Sequence, residues 1–179
     1  MATKTKVIFQ GKKWGKEVMK QIVALQTQRL IAYADNMIES IGSSIMAYAS
    51  PNNMDRTGNL LDSLCYCVYY NGDAKKRGYF RGETAVGDSH LHEWDNPMGM
   101  SVNGHVMAQN FLATYNPQTK KGWEIFFAIA APYWGYWEKG HRNVKSEQYQ
   151  KWAVMTQHFD VVKQDLTPMN TTFHTYIPS

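Results

Sequence analysis

The sequence predicts an α+β fold in which a long N-terminal helix and a C-terminal helix pack on a small, mainly antiparallel sheet. Three observations support this prediction. A proline-free stretch over 13–49 repeats apolar residues at helical spacing, two shorter stretches are rich in aromatic and β-branched residues, and an amphipathic stretch follows them. The 179 residues are 44% hydrophobic and 19% charged, so a globular chain of one domain is expected over 1–179.

The first element is the long helix, predicted from about Trp14 to Ala49. Its apolar residues recur at steps of three, four or five and form one stripe (Val18, Ile22, Leu25, Leu30, Tyr33, Met37, Ile41, Ile45 and Tyr48). About 35 residues of helix would measure ~50 Å, longer than a domain of this size is wide. Either Gly42-Ser43-Ser44 bends the helix, or one end projects and needs a partner to cover it. Pro51 is expected to end it.

Two strands and a second helix follow. Thr57, Gly58, Leu61 and Ser63 are expected to lead into a strand over 63–70, and Asn71-Gly72-Asp73 carries turn chemistry. A second strand is predicted over 123–131 with both faces covered, and a final helix from about Ser146 to Leu166. The excursion over 88–121 is long for a connection and contains no predicted element. Just before it, residues 84–87 are a candidate short strand. The tail over 167–179 is either loose or docked on a neighbour.

Few residues suggest catalysis. His90, His92 and His105 are weak candidates for a metal site, although solvated loop histidines explain them as well. The sequence has no glycine-rich phosphate loop and no serine nucleophile elbow. Cys65 and Cys67 are expected to be buried strand cysteines, or else an activated thiol paired with a distant histidine. We therefore expect that the protein is not an enzyme and that it binds no cofactor.

The chain is modestly basic, with a formal net charge of +4. Basic clusters at 12–13, 75–77, 120–121 and 139–142 would form a surface for DNA phosphates only if they converge, and otherwise they are a solvated exterior. The stretch from Met1 to Lys16 lacks the apolar core of a secretory signal, so synthesis in the cytoplasm and no membrane partner are expected.

Two short motifs in this order carry a resemblance to a known family. The first is Thr57-Gly58-Asn59-Leu60-Leu61-Asp62-Ser63-Leu64, and the second is Ala130-Ala131-Pro132-Tyr133-Trp134-Gly135-Tyr136-Trp137-Glu138-Lys139-Gly140-His141. Together with the long first helix and the closing helix, they resemble the head-tail joining, or tail-completion, family of tailed bacteriophages. Lys139 stands where the family has an aromatic residue and His141 where it has threonine.

The resemblance implies a virion protein that forms a closed homo-oligomeric ring in the neck, between the portal or connector and the tail proteins. Genomic DNA would pass through its lumen without sequence-specific binding, and the ring would be assembled in the host cytoplasm. The interface residues it implies are Tyr133, Trp134, Tyr136, Trp137, Glu138 and Gly140. For Glu138, a hydrogen-bonded cap within the chain is an equally open reading. A metal-dependent hydrolase using His90, His92 and His105, or a small DNA-binding module, are the alternatives.

Overall fold

The computed structural model describes residues 11–52, 59–80, 94–95, 101–102, 104–131, 134–139, 141–142, 149–150 and 154–166. Along the chain these residues form α1 (Gly11–Asn52), α2 (Asn59–Asp62), β1 (Leu64–Tyr70), β2 (Asp73–Tyr79), β3 (Trp94–Asp95), β4 (Ser101–Val102), α3 (Gly104–Thr114), β5 (Trp123–Ile129), α4 (Trp134–Lys139), β6 (His141–Arg142), β7 (Tyr149–Gln150) and α5 (Val154–Leu166). The α+β prediction is confirmed.

The main sheet has three antiparallel strands in the order β2-β1-β5. β1 lies in the middle and is buried on both faces, which explains why its sequence is a continuous run of apolar and aromatic residues. Leu64, Tyr66 and Val68 of β1 face α1, whereas Cys65 and Cys67 face α3. The sheet is therefore a layer between two helices.

The long helix is confirmed and is one continuous element of 42 residues, about 63 Å long at 1.5 Å per residue. Gly42 does not interrupt it. A Cβ atom at Gly42 would lie 2.2 Å from the ring of Phe80, so the glycine is required for the chain after β2 to cross the helix closely. Leu30 to Ile45 of α1 contribute to the main core, together with residues of β1 and β5.

The hairpin from β1 to β2 was missed by the sequence analysis, which ended the structure of this region at the turn. Asn71 and Gly72 have φ angles of 54° and 86°, which is the geometry of a two-residue hairpin turn of type I′. β2 is an edge strand with mostly exposed, charged residues, a common protection against edge-to-edge aggregation. Because its sequence includes the charged run Lys75-Lys76-Arg77, β2 lacks the apolar alternation from which a strand is predicted.

The excursion over 88–121 contains α3 and the small β3–β4 pair, elements that the sequence analysis did not predict. α3 covers the face of the sheet opposite to α1 through Ala108 and Leu112. The Gly104 amide donates to Asn59 Oδ1 at 2.9 Å, and a Cβ atom at Gly104 would lie 2.2 Å from the Asn59 carbonyl oxygen. This close approach fixes the start of α3 against α2.

Three predicted boundaries were wrong. α1 includes Pro51 and ends at Asn52, and β5 ends at Ile129, two residues early. The segment 59–62 leads into β1 as expected and is a helical turn. The final helix begins at Val154, since Tyr149 and Gln150 pair with Arg142 and His141 in a short ladder. α5 packs against α1, where Tyr33 Oη donates to Asp165 Oδ2 at 2.9 Å and Ser40 Oγ lies 3.4 Å from His158 Nε2. The candidate strand at 84–87 and the tail over 167–179 lie outside the described residues.

Candidate assembly surface

The N-terminal half of α1, residues 15–29, extends past the sheet. The boundary is at Thr27, whose Oγ1 accepts a hydrogen bond of 3.0 Å from Trp123 Nε1 and donates one to the Val23 carbonyl. Beyond it, the side chains of Met19, Ile22 and Leu25 are 58%, 51% and 52% exposed. Apolar side chains this exposed and this close together on one helix are typical of a surface that binds a partner. Ile22 and Leu25 of the predicted stripe therefore lie outside the core, on a side of the helix that the sheet does not cover.

A groove runs between this half of α1 and the tip of the β1–β2 hairpin. Its volume is about 1130 Å³, and its lining includes Met19, Val23 and Ala24 of the helix and Tyr70 of β1. Tyr70 packs on Trp123 with ring centroids 4.8 Å apart. The groove is an open and mainly apolar continuation of the surface that α1 buries further along.

Two of the basic clusters come together at this end of the sheet. The Asn71 amide donates to the Gly122 carbonyl and the Gly122 amide donates to Asn71 Oδ1, both at 2.8 Å. These bonds hold the segment containing Lys120 and Lys121 next to the turn that precedes Lys75. Three lysines line the nearby groove: Lys16, Lys20 and Lys75. Two of them have an acidic neighbour, since Glu17 lies 3.9 Å from Lys20 and Asp73 lies 3.7 Å from Lys75. The end of the molecule is therefore electropositive.

The two motif segments are in contact. Ser63 Oγ accepts a hydrogen bond of 3.0 Å from the Ala131 amide, and the Ser63 carbonyl accepts one of 3.1 Å from the Ala130 amide. Ser63 also donates to the Leu60 carbonyl at 2.8 Å, and Leu61 is buried beside it. Ser63 thus immediately precedes β1 and anchors the chain after β5 with one buried side chain. Thr57 and Gly58 lie outside the described residues.

Glu138 is 2% exposed and caps α5. Its carboxylate accepts hydrogen bonds from the Met155 amide at 3.1 Å, from the Thr156 amide at 2.7 Å and from the Thr156 hydroxyl. These amides belong to the first turn of α5, where a negative charge is favoured by both the free N–H groups and the helix dipole. Of the two readings of Glu138, the structure shows the cap within the chain.

The other residues of the second motif have mixed positions. Trp134 is 8% exposed and belongs to the main core, so its side chain contacts the same chain. Tyr136 and Trp137 are in α4, next to Glu138. Tyr133 and Gly140 lie outside the described residues.

Of the three weak metal candidates, the described residues include only His105. His105 is exposed on α3, where its Nε2 lies 2.9 Å from Gln109 Nε2 and its ring contacts that of Tyr79. His90 and His92 lie outside the described residues. In the described part of the chain, no group of three histidine, cysteine, aspartate or glutamate residues could hold a metal ion.

The two cysteines are buried on the α3 side of the sheet. Burial, with a smaller contribution from neighbouring Cys67, raises the pKa of the Cys65 thiol to about 12. Burial also raises the pKa of Cys67. Both thiols are therefore protonated at neutral pH, which is the reverse of what a nucleophilic cysteine requires.

Three polar residues organise these contacts through long-range hydrogen bonds that could not be predicted from the sequence: Thr27, Asn59 and Asn71. Each accepts a hydrogen bond from a residue more than forty positions away. Only Asn71 had a local signal, the Asn-Gly pair of a hairpin turn.

No known protein family has a model that matches this chain, and comparison with curated proteins and with solved structures finds no significant match. Among the helices that are described, none combines the length and the apolar character needed to cross a bilayer.

Proposed function

We propose that this chain is a structural subunit of a closed ring at the head-tail junction of a tailed bacteriophage. In the virion it would link the portal to the tail and surround the DNA passage. In this proposal the protein is not an enzyme and requires no cofactor, and its partners are copies of itself, the portal or connector, and tail proteins.

The observation that carries the proposal is the exposed apolar surface on residues 15–29 of α1. A ring is built from heterologous contacts, so each subunit must present two different, complementary surfaces. The half-exposed side chains of Ile22 and Leu25 are suited to one of these surfaces. The apolar groove that Met19 and Val23 line on the sheet side of the helix is suited to another. Burying such side chains releases roughly 25 cal/mol per Å² of apolar area, which favours association.

The contact between the motif segments supports the family resemblance. Residues over 57–64 and 130–141 are far apart in sequence, yet Ser63 and Ala131 are joined by a buried hydrogen bond. The two motifs are thus parts of one structural unit, in which the start of β1 and the end of β5 are tied together. Such a contact between the two motifs is expected if the resemblance to the family extends to its fold.

The electropositive end of the sheet is compatible with a DNA passage. Lysine side chains such as Lys75 and Lys121 contact phosphates without reading sequence, and such contacts weaken as salt concentration rises. A lumen of this kind would neither repel the duplex nor bind it at one site.

The test is assembly on the portal. The purified full chain is mixed with portal rings encoded in the same genome and imaged by negative-stain electron microscopy, with native mass spectrometry to count the copies. The proposal predicts an additional ring stacked coaxially on the portal, and Ile22→Glu should reduce its occupancy whereas Val161→Glu, an exposed valine on α5, should not. A chain that never joins the portal or the tail in either assay contradicts the proposal.

A further inference from the structure

The outer face of α1 carries one line of residues that alternates steps of four and three along both halves of the helix. This spacing is that of the seam of a coiled coil. The line comprises Val18, Ile22, Leu25, Arg29, Ala32, Asn36, Glu39 and Ser43. All but half-buried Val18 are exposed. The line faces away from the sheet, because the core residues of α1 lie at other positions of the repeat.

The two halves of this line differ in size. In the N-terminal half, Ile22 and Leu25 are large, branched and about half exposed. In the C-terminal half the same line contains Ala32, Asn36 and Ser43, whose small side chains allow another helix to approach closely. Large side chains of one helix can therefore fit over small ones of another, as ridges fit into grooves.

The two halves also differ in charge. Residues 15–29 contain three basic residues (Lys16, Lys20 and Arg29) and one acidic residue, Glu17. Residues 30–47 contain the acidic Asp35 and Glu39 and no lysine or arginine. Asp35 accepts a hydrogen bond from Tyr66 Oη, while Glu39 is exposed on the line itself. The N-terminal half is thus basic and apolar, and the C-terminal half is acidic and small.

We propose that two copies of this chain pack α1 on α1, with the basic, apolar half of one helix lying on the acidic, small half of the other. Like halves would place lysines opposite lysines, so complementary charge selects the unlike pairing. If the proposed function is correct, this contact is the one that repeats around the ring, and in that sense it rests on the proposed function. A staggered or crossed arrangement, in which the two halves of one helix contact different copies, can repeat around a ring, whereas a fully antiparallel pair would close as a two-fold dimer.

A second copy fits this line better than DNA or an anionic lipid surface. Either of those partners would be attracted by Arg29 but repelled by Glu39, which lies on the same line ten residues further along. Neither partner has a surface that complements both the exposed Leu25 side chain and the small side chains that follow it on the line. A second copy meets all three features at once, because it supplies the opposite half.

The test is a charge swap between the halves. Association of the full chain is measured by sedimentation velocity and native mass spectrometry at physiological salt for Arg29→Glu, Glu39→Arg and the double variant. Both side chains are exposed, so the fold should be retained, and circular dichroism checks this. Each single reversal should weaken association roughly tenfold, and the double variant should return to within about threefold of the unsubstituted chain. Asp160→Lys, an exposed charge reversal on α5, is the control and should change nothing.

The outcomes separate this inference from the proposed function. If rings form on the portal but the three variants associate like the unsubstituted chain, the ring remains and the α1 pairing is overturned. If charge reversal and rescue are observed but only dimers form and no portal binds, the pairing is supported and the ring is overturned. A double variant that is no better than the single variants, or a chain that stays monomeric throughout, also overturns the pairing.

Discussion

Apolar residues recur at similar steps in the two halves of α1, but the two halves lie in different environments. Over residues 30–45 the helix buries Ala34, Ile38, Ile41 and Ile45 to 1% exposure or less. Over residues 15–29 apolar residues recur at similar steps, yet Ile22 and Leu25 lie on the side that faces away from the sheet and remain half exposed. Steps of three and four residues therefore indicate a helix with apolar residues, but not which of these residues the chain itself covers. A covered half stabilises the fold, and an uncovered half is available for a partner.

The largest effect expected from this comparison is on the stability of the fold. Ile41→Ala leaves a cavity beneath the sheet and should lower the free energy of unfolding by about 2–5 kcal/mol. Ile22→Ala removes the same atoms from an exposed site and should change it by less than about 0.5 kcal/mol. Urea unfolding of the two variants at a low protein concentration measures both values. Equal losses would show that the two halves do not differ as described.

The cap on α5 should have the next largest effect, since α5 covers the C-terminal half of α1. Glu138→Gln removes the charge from a buried site that accepts two amide hydrogen bonds. We expect a loss of about 2 kcal/mol in unfolding free energy, in the range for a buried hydrogen-bonding group that loses its partner. The exposed Glu39→Gln is the matched control in dilute solution and should leave the unfolding midpoint unchanged. If the two variants unfold alike, Glu138 does not cap the helix.

Alkaline pH should weaken the covered part of the molecule. Burial raises the pKa of Cys65 to about 12, whereas in the unfolded chain a thiol ionises near its ordinary value of about 8.5. Between these values the unfolded state has lost the proton and the folded state retains it, so stability falls as pH rises, by up to about 1.4 kcal/mol per unit. Burial raises the pKa of Tyr33 and Tyr115 as well, which adds in the same direction.

Thermal unfolding between pH 8 and pH 11 measures this dependence. Cys65→Ala should reduce the slope, because one of the groups that titrate only in the unfolded chain has been removed. An identical slope in Cys65→Ala and the unsubstituted chain would mean that this thiol is accessible in the folded state.

The smallest effect is expected at the boundary between the two halves. Thr27→Val removes the acceptor of the Trp123 indole N–H and should cost about 1 kcal/mol. Thr114→Val is the control, because the Thr114 hydroxyl binds only backbone carbonyls of its own helix among the contacts described. The fraction of tryptophan fluorescence that iodide quenches, to which Trp123 contributes with five other tryptophans, should increase in Thr27→Val alone. Unchanged quenching would place the boundary elsewhere on α1.

Much of the fold could be predicted because it depends on local pattern. α1, β1 and β5 show continuous apolar runs or a helical period, and their predicted positions are close to the observed ones. β2 could not be predicted, because an exposed edge strand does not need apolar alternation. The start of α5 depends on the carboxylate of Glu138, sixteen residues before its first residue, Val154, and sequence period alone does not show such a contact.

The candidate surface was predictable only in part. The length of α1 indicated that it either bends at Gly42-Ser43-Ser44 or projects at one end, and in the structure the N-terminal end is the one whose apolar side chains are exposed. The contact between Ser63 and Ala131 required the register of the sheet, which pairs Leu64 with Ile129. The aromatic segment that begins after Pro132 looked like a surface from composition, but Trp134 packs in the core. Aromatic residues are common in both settings, so composition cannot separate them.

Hydrogen exchange along α1 at two protein concentrations tests most directly whether copies of the chain cover its N-terminal half. A helix without tertiary packing opens readily, so backbone amides over 15–29 should exchange quickly in dilute solution and become protected as concentration rises. Amides over 30–47 should be protected at both concentrations. If exchange over 15–29 is the same at both concentrations, no second copy covers this half of the helix.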